Sequence, residues 1–236
     1  MAYVELTQNH VLQKLARADR AVYERLLGDL QPTPLERGAL LPTSRDRTEW
    51  VYFVESGIVS LVAGTSSGQS LEVALVGREG VAGFSDALGG HRLPYRLTVQ
   101  LPGLAYRIGT NIIRDHVFSC TALHELLMAY SQFLIHQLTQ SAVCSRFHTS
   151  VQRLARWLLL TSERAGTEHL RLTHDVVAQM VGAPRSAVTQ AAAELRRKGI
   201  IEYQRGLITI RNVKRLHRSS CECFDAVSSA SARRSI

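Results

Sequence analysis

The sequence predicts an α+β chain. A many-stranded β unit comes first, then a long helix, then a helix-turn-helix with a small hairpin behind it. Three observations carry this. Short apolar runs punctuated by Gly, Ser and Pro fill residues 35–109. One continuous helical stripe extends from about Asp115 to Cys144. Residues 172–201 read as two short helices joined by a tight turn.

In chain order, residues 9–30 carry Val11, Leu12, Leu15, Val22, Leu26, Leu27 and Leu30 at helical spacing. Gln31-Pro-Thr-Pro34 stops that pattern. The runs Val51–Val54, Ile58–Val62, Leu71–Val76 and Leu97–Leu101 then read as strands of a barrel or roll, with hairpin turns at Ser56-Gly57 and Ser67-Gly68. In the long helix, Leu123, Leu126, Leu127, Tyr130, Phe133, Leu134, Gln137, Leu138 and Ala142 form the stripe. Such a stripe needs a partner, either its own domain or the same helix of a second copy; of the two we expect a second copy, pairing through Leu123, Leu127, Tyr130, Leu134 and Leu138. Residues 149–165 form another helix with Val151, Leu154, Ala155, Leu158 and Leu159 inward and Trp157 in the core.

The helix-turn-helix follows. Thr173 can cap its first helix over Val176, Val177 and Met180. Gly182 suits a left-handed turn, and Pro184 suits the start of a second helix. That helix buries Val188, Ala191, Ala192 and Leu195 and leaves Arg185, Ser186, Thr189 and Gln190 outside. A short polar face with Arg and Gln on such a scaffold suits insertion into a DNA major groove. Ile200–Ile210 adds two strands around Arg205-Gly206, a wing whose tip can touch phosphate. The expected boundaries are 1–114 for the β unit, 115–145 for the dimer helix, 146–227 for the DNA reader and 228–236 for a disordered tail.

Charge supports a polyanion partner. Residues 1–145 hold 12 Lys+Arg against 13 Asp+Glu, whereas residues 146–236 hold 16 against 7. All excess positive charge therefore lies with the helix-turn-helix. Hydrophobic content of 45% is that of a folded chain rather than a disordered one. No apolar span is long enough to cross a membrane, and the N-terminus has no signal-peptide pattern, so the expected compartment is a reducing cytoplasm.

The chain resembles the Crp/Fnr family of bacterial transcription regulators. The resemblance rests on Leu172-Thr173, Gln179-Met-Val-Gly182, Arg185-Ser-Ala-Val188, Leu195 and Gly199-Ile-Ile201, and on the order of parts. Arg153-Leu-Ala-Arg-Trp-Leu-Leu159 and Cys221-Glu-Cys-Phe224 resemble one subgroup. The resemblance implies a cupin-like, cyclic-nucleotide-binding-like β-roll, a homodimer and a palindromic operator, with RNA polymerase as a partner if the protein activates. It implies that Thr173, Arg185, Ser186, Thr189, Gln190, Arg205 and Gly206 meet DNA. An effector pocket would involve Gly77, Glu79, Gly80, Gly83, Phe84, Tyr95 and Arg96.

Two departures limit what carries over. Members that bind cyclic AMP have a Gly-Glu turn and then an Arg-Ser pair. Here Gly83 is followed by Phe84, and Pro94-Tyr-Arg-Leu97 lacks that pair. Tight cyclic AMP binding is therefore not expected, although Arg92 and Arg96 could serve another anion. No cysteine precedes Cys120, so the N-terminal iron–sulfur ligands of the oxygen sensors are missing. In the recognition helix, Ser186 and Gln190 stand where family members with a known code have Glu and a second Arg, which implies a different operator.

Other chemistry is sparse. No phosphate-binding loop, Gly-x-Ser-x-Gly or His-Glu-x-x-His is present, and no enzyme is expected. Cys144 and His148 share a helix face, and Cys221 and Cys223 are close in sequence, so the four could offer zinc a thiolate–imidazole set. Nothing in the sequence brings the two pairs together, and Cys-x-Cys is tighter than the usual spacing. The default is unligated cysteines with no cofactor and an unknown effector. The alternative function is a nucleotide- or metal/redox-responsive module whose helix-turn-helix does not read DNA.

Overall fold

The computed structural model describes residues 7–42, 49–89 and 94–232. Arg92 lies outside the described residues. The N-terminal helical stretch is two helices, α1 (His10–Ala18) and α2 (Arg20–Asp29). Asp19 divides them: its backbone is extended, and its carboxylate accepts from the Val22 amide at 3.0 Å as the cap of α2. Asn9 caps α1 and is wholly buried. Its amide group also donates to the carbonyls of Val54 at 2.9 Å and Gly80 at 2.8 Å. Glu55 accepts beside it from Thr7 Oγ1 and the Gln8 amide, so a buried polar network ties the N-terminal segment to the strands.

Among the described residues seven strands follow: β1 (Gln31–Leu35), β2 (Trp50–Val54), β3 (Ile58–Gly64), β4 (Ser70–Val76), β5 (Val81–Ala82), β6 (Arg96–Leu101) and β7 (Gly103–Gly109). A 3-10 helix, Phe84–Leu88, precedes β6. The segment Gln31-Pro-Thr-Pro34 ends α2 as expected but continues as a strand. It is tolerated there because β1 pairs only with β7, at the edge of the sheet β1-β7-β2-β5. The second sheet has the order β4-β3-β6.

The Ser67-Gly68 turn joins β3 and β4 as a hairpin, but Ser56-Gly57 does not make one. It is a corner between sheets, since β2 and β3 belong to different ones. Gly57 has φ +81°, and a Cβ there would sit 2.6 Å from the Leu101 carbonyl oxygen. A Cβ on Gly103 would sit 2.2 Å from the Ser56 carbonyl oxygen, so two backbones cross where side chains cannot fit.

The expected helix at 115–145 is also two helices, α3 (Thr110–Ser119) and α4 (Thr121–Phe147), interrupted at the extended residue Cys120. The C-terminal part adds α5 (Ser150–Ala165), β8 (His169–Arg171), α6 (His174–Val181), α7 (Arg185–Arg197), β9 (Ile201–Gln204), β10 (Leu207–Ile210), α8 (Val213–Ser219) and α9 (Cys223–Ala232). Residues 228–232, expected as disordered tail, are the end of α9. Val227 is fully buried, and Ser228 donates to Glu163 at 2.9 Å, which holds that helix in place.

Compactness divides the described chain differently from the expected boundaries. One unit comprises 1–61 with 75–134, and the other 62–74 with 135–236. The first has Leu12, Leu15, Tyr23, Phe53, Ile108, Ile113 and Leu123 at its centre. In the second, α5 carries Leu154, Ala155 and Leu158 into a core shared with Val177, Val188, Leu195, Ile208 and Leu216. Its N-terminus has a reciprocal cap between Thr149 and Gln152. Trp157 lies in this core as expected, and its indole donates at 2.7 Å to Glu72, a buried carboxylate from the 62–74 segment. No helix of the described residues is long and apolar enough to cross a membrane.

Candidate nucleic-acid interface

The helix-turn-helix is built as local chemistry dictates. Thr173 accepts from the Val176 amide at 3.4 Å and caps α6. Gly182 takes the left-handed conformation at φ +65°, and the Ala183 amide returns to the Ala178 carbonyl at 3.1 Å. The Arg153 guanidinium donates to the carbonyls of Val181 and, at 2.9 Å, Gly182, so a cation closes the C-terminal end of α6. A Cβ on Gly182 would lie 2.4 Å from a Leu71 methyl, a second reason for glycine there. Pro184 is the residue just before α7 rather than its first helical residue.

Helix α7 buries Val188, Ala191, Ala192 and Leu195 and leaves Arg185, Ser186, Thr189 and Gln190 exposed, as its spacing requires. Two neighbours set the state of that face. Asp175 pairs with Arg185 at 3.1 Å, both side chains being well exposed. His174 reaches Thr189 Oγ1 with Nδ1 at 3.1 Å while its ring stacks on Tyr203 at 4.1 Å. Burial, then the nearby Arg185 charge, holds the His174 pKa below its ordinary value. A neutral ring can accept from the Thr189 hydroxyl. The sequence reading gave no role to Asp175, His174 or Arg153. Asp175 could have been suspected as an acidic residue in the first turn of α6, but its meeting with Arg185 is set by the angle between two helices.

The wing is the antiparallel pair β9–β10, extended by β8 on the far side of β10. Its two-residue tip has both residues left-handed, Arg205 at φ +49° and Gly206 at φ +77°. That is the turn whose twist matches a hairpin. Arg205 is the one described non-glycine residue with positive φ, and its side chain is exposed.

Residues 152–219 match the Crp-like helix-turn-helix domain. The match spans the helices and wing just described. Beyond it, the chain is 24% identical over 192 residues to the global nitrogen regulator of Synechococcus elongatus, covering 78% of this chain and 86% of that protein. It is 28% identical over 179 residues to the transcriptional regulator SdrP of Thermus thermophilus, covering 75% and 85%. Residues 152–219 are therefore a Crp-like helix-turn-helix domain, in a chain similar to Crp/Fnr regulators over most of its length. The fold agrees: the structure of FixK2 from Bradyrhizobium japonicum superposes with a TM-score of 0.70 at 17% identity, covering 81% of this chain and 98% of that one. Crp/Fnr members are transcription regulators rather than enzymes.

The expected effector residues make the following contacts within their own chain. Glu79 turns back to accept from the Gly77 amide at 3.1 Å, and the Gly80 carbonyl is taken by Asn9. Gly83, at φ +78°, starts the 3-10 helix. Phe84 is buried and packs on Tyr130, with ring centres 5.4 Å apart. A Cβ on Gly80 would lie 2.0 Å from the Tyr130 hydroxyl, so that stretch is closely covered by an aromatic ring. Tyr95 is half-buried, and burial raises its pKa, while Arg96 stands exposed.

The expected dimer residues need correction. Leu123 and Leu127 are fully buried within their own chain, Tyr130 and Leu134 nearly so, and Leu138 partly. A side chain already covered has little surface left for a partner. The apolar residues α4 leaves exposed are Met128, Ile135, Val143 and Phe147. One helix carries both stripes, and the sequence periodicity picked the inner one.

The cysteines are the second surprise. Cys144, His148, Cys221 and Cys223 come together, with their ligand atoms all within 4.8 Å of one another. The Cys144 and Cys221 sulfurs are 3.6 Å apart, and Cys223 Sγ lies 3.7 Å from His148 Nδ1. The Cys144 thiol donates to Cys221, which pulls the Cys221 pKa down to about 6 and raises that of Cys144. Cys120 stands apart, beside Asp19.

Proposed function

We propose that this Crp/Fnr-type regulator binds a palindromic DNA operator as a homodimer and answers a signal other than cyclic AMP. The observation that carries the DNA reading is the exposed face of α7. Arg185, Ser186, Thr189 and Gln190 stand out from a helix whose opposite face is locked into the core, so they can enter a major groove without unfolding anything. Arg185 fits guanine O6 and N7 through its two-pronged guanidinium, and Gln190 fits adenine. Arg205 supports the same reading. A left-handed arginine costs about 1 kcal/mol over glycine at such a position, which a phosphate contact at the wing tip would offset.

The second copy is argued from α4. Met128, Ile135 and Val143 fall on one side of the helix at steps of seven and eight residues, close to the spacing of a two-helix seam. A two-fold pair sets its recognition helices one DNA turn apart, roughly 34 Å. Against a cyclic AMP signal stand the missing Arg-Ser pair and the engagement of Glu79, Gly80 and Phe84 by their own chain. Four free cysteines and a DNA partner suit the cytoplasm, and an activator would also touch RNA polymerase.

The test is selection of duplexes from a random pool, followed by footprinting and titration at several salt concentrations. The expected result is a two-fold site protected over two successive turns, with affinity falling steeply as salt rises. Recovery of no enriched sequence would remove the DNA-reader assignment. A low-micromolar dissociation constant for cyclic AMP by calorimetry would overturn the assignment of the signal.

A further inference from the structure

We propose that Cys144, His148, Cys221 and Cys223 form a Cys3His site for one zinc ion, which fastens the end of α4 to the segment leading from α8 into the first residue of α9. This rests on the arrangement of the four side chains and not on the DNA-reading proposal.

The geometry is the first argument. Zinc binds thiolate at about 2.3 Å and imidazole nitrogen at about 2.0 Å, so a tetrahedral site has edges of roughly 3.5–3.8 Å. The Cys144–Cys221 and Cys223–His148 separations are 3.6 and 3.7 Å. No separation in the set exceeds 4.8 Å, and contraction around an ion would close the remainder by rotamer adjustment. A multi-iron cluster would need its ligands spread over separate metal atoms, and this set converges on one point.

The second argument is how the ligands are held. Cys144 lies in the last turn of α4 and His148 just past its end, where its amide still returns to the Cys144 carbonyl at 3.3 Å, so the two face the same way. In Cys221-Glu-Cys223 the two sulfurs turn inward while Glu222 stays outside. The Glu222 carboxylate accepts from His148 Nε2 at 3.1 Å, leaving Nδ1 directed at the thiols. A ligating histidine commonly gives its second N–H to a carboxylate, which fixes its tautomer and orientation. The tight Cys-x-Cys spacing, a weakness in sequence, supplies this outer partner from between two ligands.

Charge is the third. Three thiolates, a neutral imidazole and Zn2+ carry a net charge of −1. Arg156 is buried at 8% exposure with its Nε lacking a hydrogen-bond partner, and its charge bears on both Cys144 and Cys223. A buried cation without full pairing is costly, and an anionic metal centre beside it would supply the missing counter-charge.

The test uses the full chain, purified under reducing conditions without chelator, with metal measured by mass spectrometry. About one zinc per chain is expected. The stripped chain titrated with Co2+ should give the intense visible bands of tetrahedral cobalt and a thiolate charge-transfer band, saturating at about one equivalent. Cys221→Ser should lower retained zinc at least tenfold, His148→Cys should retain it, and Cys120→Ser should leave it unchanged. The cobalt titration needs only the wild-type chain, so it decides the matter even if Cys221→Ser fails to fold. Pale octahedral cobalt with no retained zinc in a folded chain would overturn the proposal. So would iron with acid-labile sulfide at this site, or equal loss of zinc in Cys120→Ser.

Discussion

Replacing Arg185 with alanine separates folding from DNA reading. The side chain is 69% exposed, and its ion pair joins it to an Asp175 that is 65% exposed. Such a pair contributes at most about 1 kcal/mol to the fold, and screening by salt reduces that further. A bidentate contact to guanine contributes about 1–3 kcal/mol of discrimination. The loss corresponds to roughly 5- to 150-fold in Kd on the selected operator. On a scrambled duplex only a phosphate-like attraction is lost, and the salt slope should change by no more than about one unit. Arg185→Lys is the informative companion. It keeps the charge and removes the fork, so it should behave like alanine on the operator and like wild type on scrambled DNA. Fluorescence anisotropy with both duplexes at several salt concentrations, beside urea unfolding of each variant, measures all of these quantities. Wild-type affinity of Arg185→Ala for the operator would refute the guanine contact. An equal loss on both duplexes would reassign Arg185 to the phosphate backbone.

Arg205→Gly should raise stability by up to about 1 kcal/mol, by relieving the left-handed arginine, yet weaken binding to all duplexes alike; denaturation and binding moving in the same direction would contradict this. Ile135→Glu, at a position 62% exposed, should leave the fold intact and shift sedimentation toward the monomer, whereas Leu127→Glu should fail to fold because Leu127 is fully buried. A dimeric Ile135→Glu chain would eliminate that face of α4 as the seam. Asn9→Ala removes a helix cap and two bonds to buried carbonyls, at a cost of roughly 2–5 kcal/mol by urea midpoint; a change under about 1 kcal/mol would mean that the network can rearrange. His174 has a folded pKa below its ordinary 6.5, so its stability contribution is complete above that value. That contribution is lost as pH falls below 6.5, because the unfolded chain takes up the proton first. His174→Gln should accordingly lose less stability than the parent on acidification from about pH 7 to pH 5, and identical losses would argue against a neutral, stacked ring.

What the sequence determined by itself was local. The cap at Thr173, the left-handed Gly182, the buried face of α7 and the turn at Arg205-Gly206 each follow from neighbouring residues, because capping, turn conformation and helical periodicity act within a few positions. The basic excess after residue 145 was equally legible, since charge is counted rather than folded. Tertiary structure decided where one segment meets another. Periodicity located an apolar stripe on α4 but could not tell that Leu127 faces its own core while Ile135 faces out, for both recur at helical spacing. The Ser56-Gly57 turn has hairpin residues, and only the division into two sheets makes it a corner. Cys144 and Cys221 are 77 positions apart, and no local rule joins them; α5, the winged helix-turn-helix and α8 must fold between them before the sulfurs stand 3.6 Å apart. That convergence turns scattered cysteines into the proposed metal site. It arises from packing in three dimensions, which a one-dimensional pattern does not encode in any short window.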